Sequence, residues 1–418
     1  MPFIVSHLLS TLTYLAHINM ESHLPATPTA RKIASPILWS GISYWFFFGA
    51  IGALSPFLGP YYRQLGLSGK QVGLLSAVPP IAIALLAPLW GALADRRGIH
   101  RQVLRLVILP GALMMTLLAY ANGFPMVLLL LGLWATCMAP VLPILDSYAV
   151  TLSEAHGQSY GRLRLWGTLG YMVSVVAVGW WMRSAPRGSF LFVYVALLLC
   201  LLLATVGLPA SQNKTSAAGP RLQSNLLALL RKQPALAIVL AVSFLVSIGM
   251  STLGNFFGIY ITERGGNSSL IGIANAVLAL SEIPIMLWAS HLQRKLGNPR
   301  LIVLALAAYA LRFALYSIVP SAGWIIPIQL LHGLSYAIYL VASIRLVYQL
   351  GGKDQAATAQ SLLASVMAIG NVVGAFLNGA LLDRFGISAI FWSATVSVLV
   401  AMVIFLMGYR RVQAATSH

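Results

Sequence analysis

The chain has 418 residues, of which 59% are apolar and only 8% charged, and its mean hydropathy is +0.85. A soluble domain carries about 25% charged residues, so this composition excludes a water-soluble protein and points to lipid as the solvent. The formal net charge of +18 would suggest nucleic acid in a soluble chain. Here the basic residues sit between apolar stretches, so they record membrane topology and no nucleic-acid partner is expected.

Residues 1–35 have no basic segment ahead of an apolar core, so they make a poor signal peptide. They are read as a disordered cytoplasmic tail outside the fold, with Met20 as a candidate start. A spanning helix needs about 20 mostly apolar residues. That length gives spans near 37–62, 71–93, 102–121, 125–152, 161–182 and 189–208. A second set lies near 235–261, 269–290, 299–319, 323–349, 355–381 and 387–408. The fold class is therefore an all-α membrane protein with twelve transmembrane helices in two six-helix bundles, 36–208 and 234–410. Residues 209–233 are polar and basic and read as a cytoplasmic linker, and 411–418 as a tail. With both termini inside, 18 of the 26 basic residues fall on the inner side, six on the outer side and two within spans. This threefold excess places both termini in the cytoplasm of a multi-pass cell (inner) membrane protein. Cys137 and Cys200 both fall in apolar spans and suggest neither disulfide nor metal.

Between the second and third spans stands a run with Gly91, Asp95, Arg96 and Gly98, followed by Arg101. Gly91 permits close helix approach. Asp95, read as a loop residue like Glu154, can accept charge-assisted hydrogen bonds. Gly98 permits a tight reversal. The bland alternative is an ordinary basic turn. A worn copy without the acid spans 288–300, and a partial echo, Gly379 to Gly386 with Asp383 and Arg384, falls on the outer side. Such repetition agrees with two related halves.

Ionisable groups at bilayer depth cost at least about 2.5–3.5 kcal/mol each and usually have a task. Asp146 lies in span four after Pro140 and Pro143, and Arg164 opens span five. They can meet across two antiparallel helices, as solute ligands or as a plain ion pair. Glu282, Arg312 and His332 lie mid-span on consecutive helices eight, nine and ten. A carboxyl whose cationic neighbour comes and goes can load and release a proton. The alternative is a permanent Glu282–Arg312 pair that only holds helices together. Arg345, thirteen residues past His332, is off the His332 face and is read as snorkelling to the cytoplasmic side. The aromatic run Tyr44 to Phe48 is read as packing or lipid contact.

The run from Gly91 to Arg101 resembles the signature loop of the major facilitator superfamily, G-x-L-x-D-R-x-G-x-x-R. Within it, the chain from Pro36 to Arg410 resembles the lactose permease-like proton symporters, especially the phenylpropionate permease-like members. The segment Tyr160, Gly161, Arg162, Leu163, Arg164, Leu165, Trp166, Gly167 and the eighteen-residue step from Asp146 to Arg164 carry that likeness. The resemblance implies that Asp146, Arg164 and Tyr171 bind solute, with Tyr171 standing where the permease has a stacking tryptophan. It implies that Glu282, Arg312 and His332 couple a proton to it. One departure is Ser335, which stands where the permease carries its proton on a glutamate. Glu282 then carries the proton, or coupling is lost. A carboxylate solute would suit Arg164 or Arg312 through a bidentate pair.

The expected function is a secondary transporter of an aromatic acid, sugar or nucleoside, proton-coupled and working by alternating access. A monomer is expected, with the solute, a proton and the lipid bilayer as partners. An uncoupled uniporter and a proton-driven efflux protein are the transporting alternatives, although span five has no late Gly-Pro motif. A non-transporting sensor is the other. No cofactor, metal or enzymatic activity is expected, since neither H-E-x-x-H nor G-x-x-x-x-G-K-[ST] occurs.

Overall fold

The computed structural model describes residues 28–157, 160–210 and 233–416. The expected linker thus lies almost wholly outside the described residues, as do residues 1–27 of the expected tail. Among the described residues twelve helices are long and apolar enough to cross a membrane, and no strand occurs. In chain order they are α1 Pro36–Gln64, α2 Gly69–Arg97, α3 His100–Leu118, α4 Phe124–Ala155, α5 Tyr160–Trp181 and α6 Ser189–Gly207. The second half holds α7 Pro234–Leu253, α8 Ser268–Leu296, α9 Asn298–Ile318, α10 Ala322–Gly352, α11 Gln355–Phe385 and α12 Ile387–Thr416.

Several helices outrun their apolar spans, because backbone hydrogen bonding ends at a cap and not where hydropathy falls. The helix that contains α1 already begins at Pro28, a residue suited to a first turn. α12 continues to Thr416. Asp95 and Glu154, expected in loops, lie in the last turns of α2 and α4. α2 ends only at Gly98, whose left-handed φ of 64° closes the helix. Its start is fixed by a capping box in which Ser68 and Gln71 cap one another's backbone.

Three helices are interrupted beside the central cavity. α4 breaks at Ala139 and Pro140, where proline removes a donor. α7 tightens over Ser251–Leu253 and resumes after Gly254 as a short continuation, Asn255–Glu263. α10 widens into a π turn at Gly333–Ala337. There the Gly333 amide donates to the Ser281 hydroxyl at 3.0 Å. The Ser335 hydroxyl donates to the carbonyls of Leu331 and His332 at 2.9 and 3.2 Å. Gly333 is required, because a Cβ there would overlap the Ser281 carbonyl.

α1 packs on α4, α5 and α6, while α7 packs on α11 and α12, and α9 on α12. The two halves meet at one end through close backbone crossings. A Cβ on Gly179 would lie 2.6 Å from the Ser268 carbonyl, and one on Gly272 2.5 Å from that of Val175, so α5 and α8 touch. Gly73 meets Ala375 and Gly379 between α2 and α11, and Gly258 meets Pro56 between the α7 continuation and α1. Towards the opposite end the halves stand apart. The buried residues of α8 all lie within 271–276, and in α2 only Ala94 is buried beyond Ala82. Between the halves sits a cavity of about 800 Å³.

Candidate functional site

Glu282 of α8, Arg312 of α9 and His332 of α10 converge at the cavity wall. Arg312 is fully buried. Its Nη1 donates to His332 Nδ1 at 2.6 Å, and its Nη2 donates to Gln329 Oε1. Tyr316 donates to the same Gln329 oxygen at 2.8 Å. Arginine has donors only, so Nδ1 must accept. The neutral imidazole therefore holds its proton on Nε2, which donates to Glu282 Oε1 at 2.9 Å. The chain of contact is Arg312, His332, Glu282. A direct Glu282–Arg312 ion pair is not formed, because the imidazole stands between them. Both terminal nitrogens of Arg312 are engaged and none of its surface is open. The expectation that it could grip a carboxylate solute is therefore corrected. Tyr336 stacks on His332, with centroids 5.0 Å apart and planes at 19°, and both line the cavity with Glu282. Arg345 is exposed.

Asp146 lines the same cavity from α4. Its Oδ1 accepts from the hydroxyl of Tyr44 on α1 and, at 2.9 Å, from that of Tyr160 at the start of α5. Arg164 Nη1 lies 3.7 Å from the same oxygen and donates to the Tyr160 hydroxyl at 3.2 Å. The guanidinium sits 5.2 Å over the Phe48 ring. Tyr171 donates to Asn275 Oδ1 at 3.3 Å, a bond that crosses from α5 to α8. Asn275 is buried and anchored by its amide to the Ile271 carbonyl at 2.9 Å. Tyr44, Tyr160, Gln329 and Asn275 carry no role in the sequence reading. Tyr44 lies inside an aromatic run that reads as packing, and the other three carry no charge to mark them.

The run from Gly91 to Arg101 is two helix ends joined at Gly98. Asp95 and Arg96 are exposed, and Asp95 Oδ1 lies 2.8 Å from His100 Nε2. Arg101 donates to the Leu208 carbonyl at 3.0 Å, tying α3 to the end of α6. The space where Gly91 would carry a Cβ is open, so the expected close approach is not made here. Gly91 lies at the end where the halves are separate. The echo behaves differently: Asp383 accepts from the backbone amides of Gly69 and Lys70, the latter at 2.9 Å. It therefore bridges α11 to the first turn of α2.

The MFS_1 like family matches residues 37–393. The maltose permease of Geobacillus stearothermophilus is 28% identical over 392 residues, covering 92% of this chain and 96% of that one. The multidrug resistance protein MdtG of Salmonella schwarzengrund is 25% identical, covering 82% and 87%. Among solved structures, a variant of the nucleoside transporter NupG superposes with a TM-score of 0.80 at 18% identity, covering 89% of this chain and 99% of that one.

Proposed function

Since the chain belongs to the MFS_1 like family of major facilitator transporters, we propose that it carries a neutral organic solute into the cell with a proton. The observation that carries this reading is Glu282, a carboxylate at the wall of a cavity at bilayer depth. It is linked through His332 to a buried arginine. Glu282 takes the proton; Arg312, acting through the imidazole, holds the carboxylate in place. His332 cannot take that role in this state, because Arg312 occupies its only lone pair. Asp146, Arg164 and Tyr171 bind the solute.

The solute class follows from charge. The cavity lining includes the carboxylates of Asp146 and Glu282, while Arg164, the cationic ligand, stands just outside that lining, 3.7 Å from Asp146. An organic anion would meet like charge there, whereas hydroxyls or amides would find acceptors. A sugar or nucleoside fits this wall better than an aromatic acid. A maltose permease among the sequence relatives and a nucleoside transporter among the structural ones agree with that choice.

The excess of Lys and Arg supports both termini on the cytoplasmic side of the cell membrane. The open end of the cavity then faces the cytoplasm. All the proposed ligands and coupling groups belong to one chain, which supports a monomer.

The test is uptake into proteoliposomes with acid outside, using radiolabelled maltose, uridine and phenylpropionate. Accumulation of maltose or uridine above equilibrium, lost in Glu282→Gln while solute counterflow continues, is the expected result. Undiminished accumulation in that variant would remove Glu282 from coupling. Equilibration alone would mean a uniporter, and solute driven out against entering protons would mean efflux.

A further inference from the structure

We propose that Tyr44 and Tyr160 are positioning residues for the solute, pinning one oxygen of Asp146 so that its other oxygen stays open beside the cavity and does not close onto Arg164. The inference rests on Asp146 and Arg164 being solute ligands, as argued above.

Three donors gather on a single carboxylate oxygen. The Tyr44 and Tyr160 hydroxyls both bond Oδ1, and Arg164 Nη1 stands 3.7 Å from it. That last separation is too long for a hydrogen bond. No hydrogen bond to Oδ2 is formed among the described residues, and the Asp146 side chain is 36% exposed. The terminal torsion of an aspartate is soft, and a carboxylate beside a guanidinium closes into a bidentate pair when free to turn. Such a pair would turn both oxygens and two guanidinium N–H groups towards each other, so that acid and base satisfy one another ahead of the solute. The tyrosines prevent it. Tyr160 also accepts from Arg164 at 3.2 Å, so one hydroxyl spaces the acid from the base. An acceptor and a cationic donor are thereby held side by side without satisfying each other. A solute hydroxyl or amide that donates to one and accepts from the other completes both.

The burial of Tyr44 supports this role. It is fully buried, and its neighbours Trp45 to Phe48 have no hydroxyl. A hydroxyl buried there needs a partner, and Asp146 supplies it. The tyrosines thus act through Asp146 and need not touch the solute.

The experiment uses the full chain with Tyr44→Phe, Tyr160→Phe and both, each alone and in an Asp146→Asn background. Counterflow of radiolabelled maltose and uridine gives KM and maximal rate separately. Each single change is expected to raise KM about tenfold, the effect of one hydrogen bond to a charged group. The maximal rate stays within about twofold, and neither change adds anything once Asp146 is asparagine. An unchanged KM, a fall in rate at constant KM, or an equal further loss in the asparagine background would overturn the proposal. The last two outcomes indicate simple helix packing. A second arm needs no solute. In a cryo-EM structure of the double variant in nanodiscs with a fiducial antibody fragment, Asp146 should turn onto Arg164 at hydrogen-bond distance. An unmoved carboxylate would sink the idea. If the wild type carries neither probe, the transport reading fails, while the structural arm still decides the positioning.

Discussion

His332 has no nitrogen to spare: Nδ1 accepts from Arg312 and Nε2 donates to Glu282. This makes the arginine fork, which serves His332 and Gln329 at once, as necessary as its charge. Lysine at position 312 would keep the charge but present one compact ammonium, unable to span both partners. Arg312→Lys should therefore cut gradient-driven accumulation by at least about tenfold, the loss of one hydrogen bond to a charged group. Counterflow, which needs no net proton movement, should fall far less. Equal losses in the two proteoliposome assays would show that Arg312 serves solute binding or folding instead. The three ionisable members of this cluster were legible in the sequence because charge at bilayer depth is rare. Gln329 was not, nor were the tyrosines on Asp146. Whether a hydroxyl in an aromatic run meets lipid or a carboxylate depends on helix rotation, which periodicity in an almost uniformly apolar span does not record.

α2 begins where α11 ends, and Asp383 joins them by accepting two amides of the α2 first turn. The capping box of Ser68 and Gln71 already serves that turn from within, so Asp383 adds a bond between halves. An anion at a helix start gains from both the amides and the dipole. Asp383→Asn keeps an acceptor oxygen but loses the charge, so the closed end should open more often. The measurement is alkylation of Leu253→Cys, which lines the cavity, in a chain with Cys137 and Cys200 replaced by serine. A membrane-impermeant maleimide added outside right-side-out vesicles should react about tenfold faster, matching one lost charge-assisted bond. An unaltered rate would mean that the glycine crossings alone keep the end shut. At this scale the sequence showed the echo of Gly379 to Gly386. The helix existed in the hydropathy pattern, but its cap partner did not, since that partner lies over 300 residues away. The break at Gly254 and the π turn after His332 were hidden for a related reason. Both leave the apolar pattern intact and become visible only when the backbone is traced.

The whole molecule shows one end closed by small residues and the other end parted. Twelve spans and the basic-residue asymmetry were legible because each is a property of a single segment and its flanks. Which end is shut was not, since a chain that alternates must encode both closures. The backbone contacts of Gly179 and Gly272 now specify one of them, and they make a reciprocal test possible. A side chain on Gly272 begins with a Cβ 2.5 Å from the Val175 carbonyl, and that atom belongs to a backbone that cannot swing aside. Gly272→Leu must therefore push α5 and α8 apart at that end. If the halves rock as rigid bodies about the central cavity, the other end closes at the same time. Reactivity of Leu253→Cys towards maleimide added from outside should rise. Reactivity of Ile83→Cys, exposed in the parted half of α2 and lining the cavity, should fall towards the same reagent added to inside-out vesicles. A rise at Leu253 with no fall at Ile83 would mean that the two ends gate independently, and the rocking mechanism would have to be replaced by local motion of α5 and α8.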